Sequence, residues 1–79
     1  MANISYDEEA DAGYVSVSGR PVARTEEVAP NVLVDYDSED QPVGVEVLAV
    51  KQRLRSGDPR SYILGLTEGL LSRLGRDAA

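Results

Sequence analysis

Residues 4–17, ISYDEEADAGYVSV, and residues 34–47, VDYDSEDQPVGVEV, are two copies of one pattern. Each copy runs from a short strand-like stretch through Tyr-Asp into an acidic turn, and then into an alternating valine-rich stretch. Alternation of apolar and polar residues predicts a strand on each side of the turn. Asp7 and Asp37 follow the two tyrosines, and an aspartate there can accept hydrogen bonds from backbone amides two residues further on. We therefore predict two β-hairpins of the same design.

The segment between the two copies predicts a further strand. Residues 22–28 begin and end with valine, and their Thr-Glu-Glu centre is polar, which suits an edge or a solvated face. Ala-Pro-Asn at residues 29–31 is a turn signal, and residues 32–36 read as the strand that opens the second hairpin. Residues 3–49 are therefore predicted to form an antiparallel β-meander of two β-hairpins plus a middle strand.

The last third of the chain predicts a helix over residues 58–75. Asp58 is a good N-cap, and Pro59 fits the first helical position because the amide there has no helical partner. Gly75 is a plausible stop. Residues 50–57 fit a strand, a helix or a loop equally well. The predicted fold class is α+β, a single domain over residues 1–79, with one C-terminal helix packed on one face of the sheet.

Leucines on two sides of this helix predict an interface. Ile63, Leu66, Leu70 and Leu74 form one apolar stripe, and Leu64 and Leu71 lie about 100° to one side. A single small sheet can cover only the first set. A chain of 79 residues without Cys or His lacks disulfides and zinc as sources of stability. We predict a homodimer through these helix residues: Ile63, Leu64, Leu66, Leu70, Leu71 and Leu74.

The charge is divided unevenly along the chain. The net charge is −6, with −9 in residues 1–49 and +3 in residues 50–79. An acidic sheet repels phosphate, so direct binding of nucleic acid is not expected. A basic protein is the partner that this charge favours. The N-terminus lacks the pattern of a signal peptide, and no apolar run is long enough to span a membrane, so a cytoplasmic protein without membrane contact is predicted.

The second acidic turn imitates part of a calcium loop. Asp35, Asp37, Glu39 and Glu46 have the spacing of loop positions 1, 3, 5 and 12, but position 6 is Asp40 instead of the glycine that the sharp turn needs. The flanking segments also predict strands instead of helices. Without His or Cys, and with little volume for a pocket, we predict no metal or cofactor site and no enzymatic activity.

These residues resemble a known family. The ordered combination of YDEEADAGYV at residues 6–15, TEEV at 25–28, VDYD at 34–37 and VGVEVL at 43–48 is similar to the domain-of-unknown-function 2283 family of small bacterial and phage proteins. The resemblance covers residues 4–48 and departs at Asp40, where the family usually has glycine. It implies no activity. Small members look similar to components of two-gene modules beside a toxin, which implies an antitoxin-like role by analogy.

Three functional hypotheses follow from the sequence. The first is a non-catalytic, protein-binding and self-associating module whose partner is a second copy or a small basic protein. The second is an acidic protein that mimics nucleic acid and inhibits a basic nucleic-acid-binding protein. The third is a metal-binding or enzymatic domain that uses the acidic turns.

Overall fold

Five antiparallel strands form one sheet in the computed structural model, which describes residues 3–54 and 57–78 and the side chains of these residues through Arg73. A short helix and a long helix follow the strands. The elements are β1 (Asn3–Asp7), β2 (Ala12–Ser16), β3 (Arg24–Ala29), β4 (Val32–Tyr36), β5 (Pro42–Leu48), α1 (Val50–Arg53) and α2 (Pro59–Ala78). The predicted α+β class, with an antiparallel sheet and a C-terminal helix, is confirmed.

The order of strands across the sheet is β1-β2-β5-β4-β3, so it departs from a strictly sequential meander. Strands β3, β4 and β5 are consecutive neighbours, whereas β2 pairs with β5 and the chain crosses from β2 to the far edge. This is a Greek-key order. The physical reason is burial. Strand β5, whose three valines are buried, lies at the centre. Strand β3, which is exposed along its whole length, lies at an edge, as its polar centre predicts.

The two predicted hairpins are related by a local two-fold axis. In the central pair, Val15 of β2 lies opposite Val45 of β5, and Tyr14 and Ser16 lie opposite Glu46 and Gly44. Val15 and Val45 are also equivalent positions in the two sequence copies. An axis through this pair therefore exchanges the β1–β2 hairpin with the β4–β5 hairpin. The two sequence copies are therefore also related by symmetry in the folded sheet.

Helix α2 begins where the sequence predicts. The side chain of Asp58 accepts a hydrogen bond from the Ser61 amide at 3.1 Å, and its carbonyl accepts one from the Tyr62 amide at 3.1 Å. The predicted stop at Gly75 is wrong, because the helix continues to Ala78. A glycine ends a helix only by adopting a left-handed conformation; inside a helix it weakens the helix without breaking it.

Neither helix in the described part of the chain is long and apolar enough to cross a membrane.

The core lies between α2 and one face of the sheet. Ile63 of α2 is fully buried above Gly13 of β2, where a side chain on residue 13 would overlap the Cδ1 atom of Ile63. The missing side chain at residue 13 thus allows α2 to lie close to the sheet. The buried cluster consists of Val15, Val32, Val34, Tyr36, Val45, Val47, Val50 and Ile63.

Asp11 connects the first hairpin turn to helix α1. Its carboxylate accepts a hydrogen bond from the Tyr6 hydroxyl at 2.6 Å and from the Lys51 amide at 3.1 Å, and its carbonyl accepts one from the Val50 amide at 3.3 Å. Ala49, the residue before α1, has no side chain that can cap the helix. Asp11 therefore supplies the cap from another part of the chain, which explains why residues 50–53 form a helix that the local sequence left undecided.

Ala49→Gly should raise the free energy of unfolding by about 0.5–1 kcal/mol, because the left-handed conformation strains every residue with a β-carbon. Ala49 has φ 52° and ψ 47°. Urea denaturation of both proteins measures the change. The control is Ala10→Gly in the exposed first turn, where φ is not positive and the substitution should be neutral or destabilising. Equal effects at both positions would contradict this interpretation.

Candidate functional site

The predicted interface residues of α2 divide between the core and the surface. Ile63 is fully buried, and Leu66, Leu70 and Leu71 are partly buried against the core cluster. Leu64 is 38% exposed. The side chain of Leu74 lies outside the described residues. The two leucines that the sequence places outside the core stripe are therefore in different environments, since Leu71 contributes to the core and Leu64 faces solvent.

The acidic residues with calcium-loop spacing are held by different partners. Asp35 accepts hydrogen bonds from the hydroxyls of Tyr14 and Thr25, whereas Asp37 accepts them from the amides of its own turn. Glu46 lies on the strand across from Tyr14. Among the described side chains, which are those of residues 3–54 and 57–73, no group of three or more Asp, Glu, His or Cys is arranged to hold a metal ion.

The face of the sheet opposite α2 carries no helix in the described part of the chain. Its side chains belong to the alternate positions of each strand, which are only partly buried or exposed. A depression of about 360 Å³ lies on it between the first hairpin and β5, with Asp7, Tyr14 and Glu46 among its lining residues. We call this surface the open face, formed by Ser5, Asp7, Ala12, Tyr14, Leu33, Asp35, Gly44 and Glu46.

Tyr14 is held on the open face by both packing and hydrogen bonding. Its ring lies across Gly44, where any β-carbon would overlap the phenol. Its hydroxyl donates a hydrogen bond to Asp35 at 2.9 Å, and Asp35 accepts a second one from Thr25 at 2.6 Å. Burial of the ring and this hydrogen bond raise the pKa of Tyr14 to about 12. The phenol is therefore neutral at physiological pH and acts as a hydrogen-bond donor.

Sequence reasoning did not single out this tyrosine. The available signal was a large aromatic residue in β2 and a glycine in the middle of β5, since a cross-strand aromatic side chain often covers a strand glycine. The signal depends on which strands pair. A meander with β2 next to β3 would have placed Tyr14 away from Gly44, so the site could be recognised only after the β2–β5 pairing was known.

The other two hairpin tyrosines lie on the core face. Tyr6 packs partly buried against the core, and its hydrogen bond to Asp11 is the main cause that raises its pKa to about 12. Tyr36 is buried, and the Arg24 guanidinium covers its ring at 4.3 Å from the centroid. Both contribute to hairpin packing, as their equivalent positions in the repeat indicate.

Both predicted aspartate turns form. Asp7 accepts a hydrogen bond from the Glu9 amide at 3.0 Å, and Asp37 accepts hydrogen bonds from the amides of Glu39 and Gln41 at 2.8 and 2.9 Å. Asp37 is only 5% exposed, whereas Asp7 is exposed. The hydrogen bond from Gln41 is the largest cause that lowers the pKa of Asp37; burial opposes it, and the Glu39 amide and Arg20 add to the lowering.

Asp37→Asn should flatten the acid side of the stability–pH curve. Because folding lowers the pKa of Asp37, its ionised form stabilises the protein above the unfolded pKa of about 4, and this contribution is lost as the pH falls through the folded pKa. Urea midpoints between pH 2.5 and 6 measure the slope. Asp7→Asn is the matched control, since it changes the equivalent residue of an exposed turn. Equal flattening by both variants would contradict the assignment to Asp37.

Comparison with known proteins identifies a family. Its profile, described as Protein of unknown function (DUF2283), matches residues 3–51. No curated protein and no solved structure matches the chain significantly. The matched segment contains all five strands, the aspartate turns and the residues of the open face, whereas α2 lies beyond it. Since the match covers more than half of the chain and confirms the resemblance of residues 4–48, the protein belongs to the DUF2283 family.

Proposed function

We propose that this chain is a non-catalytic protein-binding module that receives a basic protein partner on the open face of its sheet. The observation that carries the proposal is a concave acidic surface in front of an ordered aromatic side chain. The depression is lined by Asp7 and Glu46, and Tyr14 is fixed between Gly44 and Asp35. A preorganised aromatic residue contributes contact area at low entropic cost, and the surrounding carboxylates attract cations.

Charge supports a basic partner over a second copy on this face. The carboxylate of Glu46 has no hydrogen bond or ion pair within the described residues, and the sheet region carries a net charge of −9. Two open faces brought together would place carboxylates against carboxylates, which costs free energy. A lysine or arginine side chain instead neutralises Glu46 and can extend its hydrocarbon stem along the Tyr14 ring.

Charge reversal on the open face tests the proposal. Glu46→Arg should abolish affinity capture of a basic protein that the wild type retains, whereas Glu9→Arg in the exposed first turn makes the same charge change elsewhere and should retain it. The captured protein must be basic, and the complex should weaken as salt rises from 50 to about 500 mM, because screening shortens the range of the attraction. An equal loss of capture in Glu46→Arg and Glu9→Arg would indicate nonspecific attraction. It would contradict the assignment of the binding site to the open face.

The alternative that the chain mimics nucleic acid gives another result in the same experiment. A mimic presents a distributed array of negative charges to a nucleic-acid-binding protein. Glu46→Arg and Glu9→Arg would then weaken capture to a similar extent, and a competing oligonucleotide would release the partner. A complex that depends on Glu46 alone and resists the oligonucleotide supports the localised site.

Self-association through α2 is a second proposal, supported by the exposure of Leu64. A leucine that is 38% exposed on the outer side of a helix is available to a second copy, whereas Leu71 is engaged by the core. Sedimentation of the wild type and of Leu64→Asp tests it without disturbing the core. A dimer that Leu64→Asp converts to a folded monomer supports the proposal, and a wild type that stays monomeric at hundreds of micromolar overturns it.

A further inference from the structure

A small cleft lies at the end of the sheet opposite the first hairpin turn. The connection from β2 to β3 forms one wall, with Arg20 and Val22, and the turn between β4 and β5 forms the other, with Asp37 and Glu39. Its volume is about 200 Å³. Val22 is half exposed and gives the cleft an apolar side, while the carboxylate of Asp37 gives it a negative side.

The two oxygens of the Asp37 carboxylate differ in their surroundings. Oδ1 accepts hydrogen bonds from the amides of Glu39 and Gln41. Oδ2 is buried and accepts no hydrogen bond from the described residues. Arg20 Nε lies 3.1 Å from it, close enough for an ion pair but not aligned as a hydrogen bond. A buried charged oxygen with an unused acceptor position is unfavourable, and a better-aligned cation would relieve it.

The first hairpin provides an internal comparison. Asp7 occupies the equivalent position and stabilises its turn with one carboxylate oxygen while remaining exposed and without an arginine partner in the described residues. The turn itself therefore requires neither burial of the aspartate nor an ion pair. The buried Oδ2 and its arginine are additions in the second hairpin, and they lie in the cleft.

Arg20 is only loosely held in this position. Its side chain is 54% exposed, and an exposed partner contributes little to an ion pair. Arg24 lies nearby in sequence but is engaged elsewhere, because it binds Glu26 and Asp40 and covers Tyr36. The ion pair with Asp37 therefore contributes little to holding Arg20 in the cleft.

We propose that the Asp37 cleft is a binding site for the guanidinium group of an arginine on a partner protein, and that Arg20 occupies this site in the free protein. The incoming guanidinium displaces Arg20, donates hydrogen bonds to Oδ2 and packs its hydrocarbon stem against Val22. The inference deepens the proposed function by placing a second anchor for a basic partner at the edge of the sheet, separate from the depression beside Glu46.

Ethylguanidinium is the probe, since it reproduces the end of an arginine side chain. Titration into ¹⁵N-labelled protein should shift the amides of Glu39 and Gln41, which bond to Asp37. Arg20→Ala removes the competitor and should tighten this response by about two- to fivefold, the range that an exposed ion pair supports. Arg53→Ala removes the same charge from a side chain that donates to the Pro30 carbonyl, outside the turn that forms the cleft wall, and it should leave the affinity unchanged. Ethylurea, which has a similar shape without the charge, should produce no shift.

Equal responses of Arg20→Ala and Arg53→Ala, or shifts centred on the first acidic turn, would overturn the inference. Asp37→Asn should lose the response; if that variant does not fold, the comparison between the two arginine variants still decides. Glu46→Arg should leave ethylguanidinium binding intact. If the wild type captures no basic protein but the amides of Glu39 and Gln41 still respond to ethylguanidinium, the proposal for the open face is rejected and the proposal for the cleft is retained.

Discussion

Replacement of Ile63 by alanine should lower the free energy of unfolding by about 3 kcal/mol, because a fully buried isoleucine loses its transfer free energy and leaves a cavity. Ile63 of α2 is fully buried and sits directly above Gly13 of β2. For a domain of 79 residues with a total stability of about 4–12 kcal/mol, this is a large fraction. We expect a lower urea midpoint and an earlier loss of helical circular dichroism.

Leu64→Ala is the matched control for this experiment. It removes a similar aliphatic side chain one residue further along the same helix, where the side chain is 38% exposed. The expected loss is smaller, about 1 kcal/mol, because more than a third of the leucine is already in water. Losses of equal size in the two variants would mean that α2 does not dock through Ile63.

Gly13→Ala should destabilise the protein by about 2 kcal/mol through overpacking, and Ile63→Val should reverse part of this loss. The new β-carbon overlaps Cδ1 of Ile63 and lies 3.1 Å from its Cγ1. Valine lacks the Cδ1 atom, so it removes the overlap. Alone, Ile63→Val should cost about 1 kcal/mol. The double variant should therefore be more stable than the sum of the two single changes predicts.

A double-mutant cycle measured by urea denaturation tests this relation. We expect a coupling free energy of about 1–2 kcal/mol between residues 13 and 63, as for side chains in direct contact. Additive losses would indicate that the alanine at residue 13 is accommodated by movement of the helix as a whole. Gly19→Ala, at a position where an added β-carbon meets no atom within 4 Å, is the control for the general effect of the substitution.

Local chemistry was the part of the fold that the sequence predicted well. The aspartate turns at Asp7 and Asp37, the start of α2 at Asp58 and the exposed edge strand β3 each depend on residues within one segment. These features need only short-range hydrogen bonds and solvation. A repeat of turn and strand was sufficient to identify both hairpins.

Features that depend on distant segments were missed. The β2–β5 pairing, the cap that Asp11 supplies to α1 and the ion pair of Arg20 with Asp37 join residues far apart in sequence. Alternation assigns each residue to a face of a strand but does not select the neighbouring strand. The open face and the cleft both follow from that choice of neighbours, so neither candidate site could be derived before the sheet order was known.

The local two-fold axis also creates a risk of mispairing between molecules. Strands β2 and β5 are each other's counterparts, so β2 of one molecule could pair with β2 of another and keep valine opposite valine. Tyr14 opposes this exchange. Its ring occupies space left free by Gly44, which is the counterpart of Tyr14 in the second hairpin. Two copies of β2 would bring two rings into a space that holds one. The difference in size between tyrosine and glycine thus disfavours β2–β2 pairing between molecules, although the two strands occupy symmetric positions in the sheet.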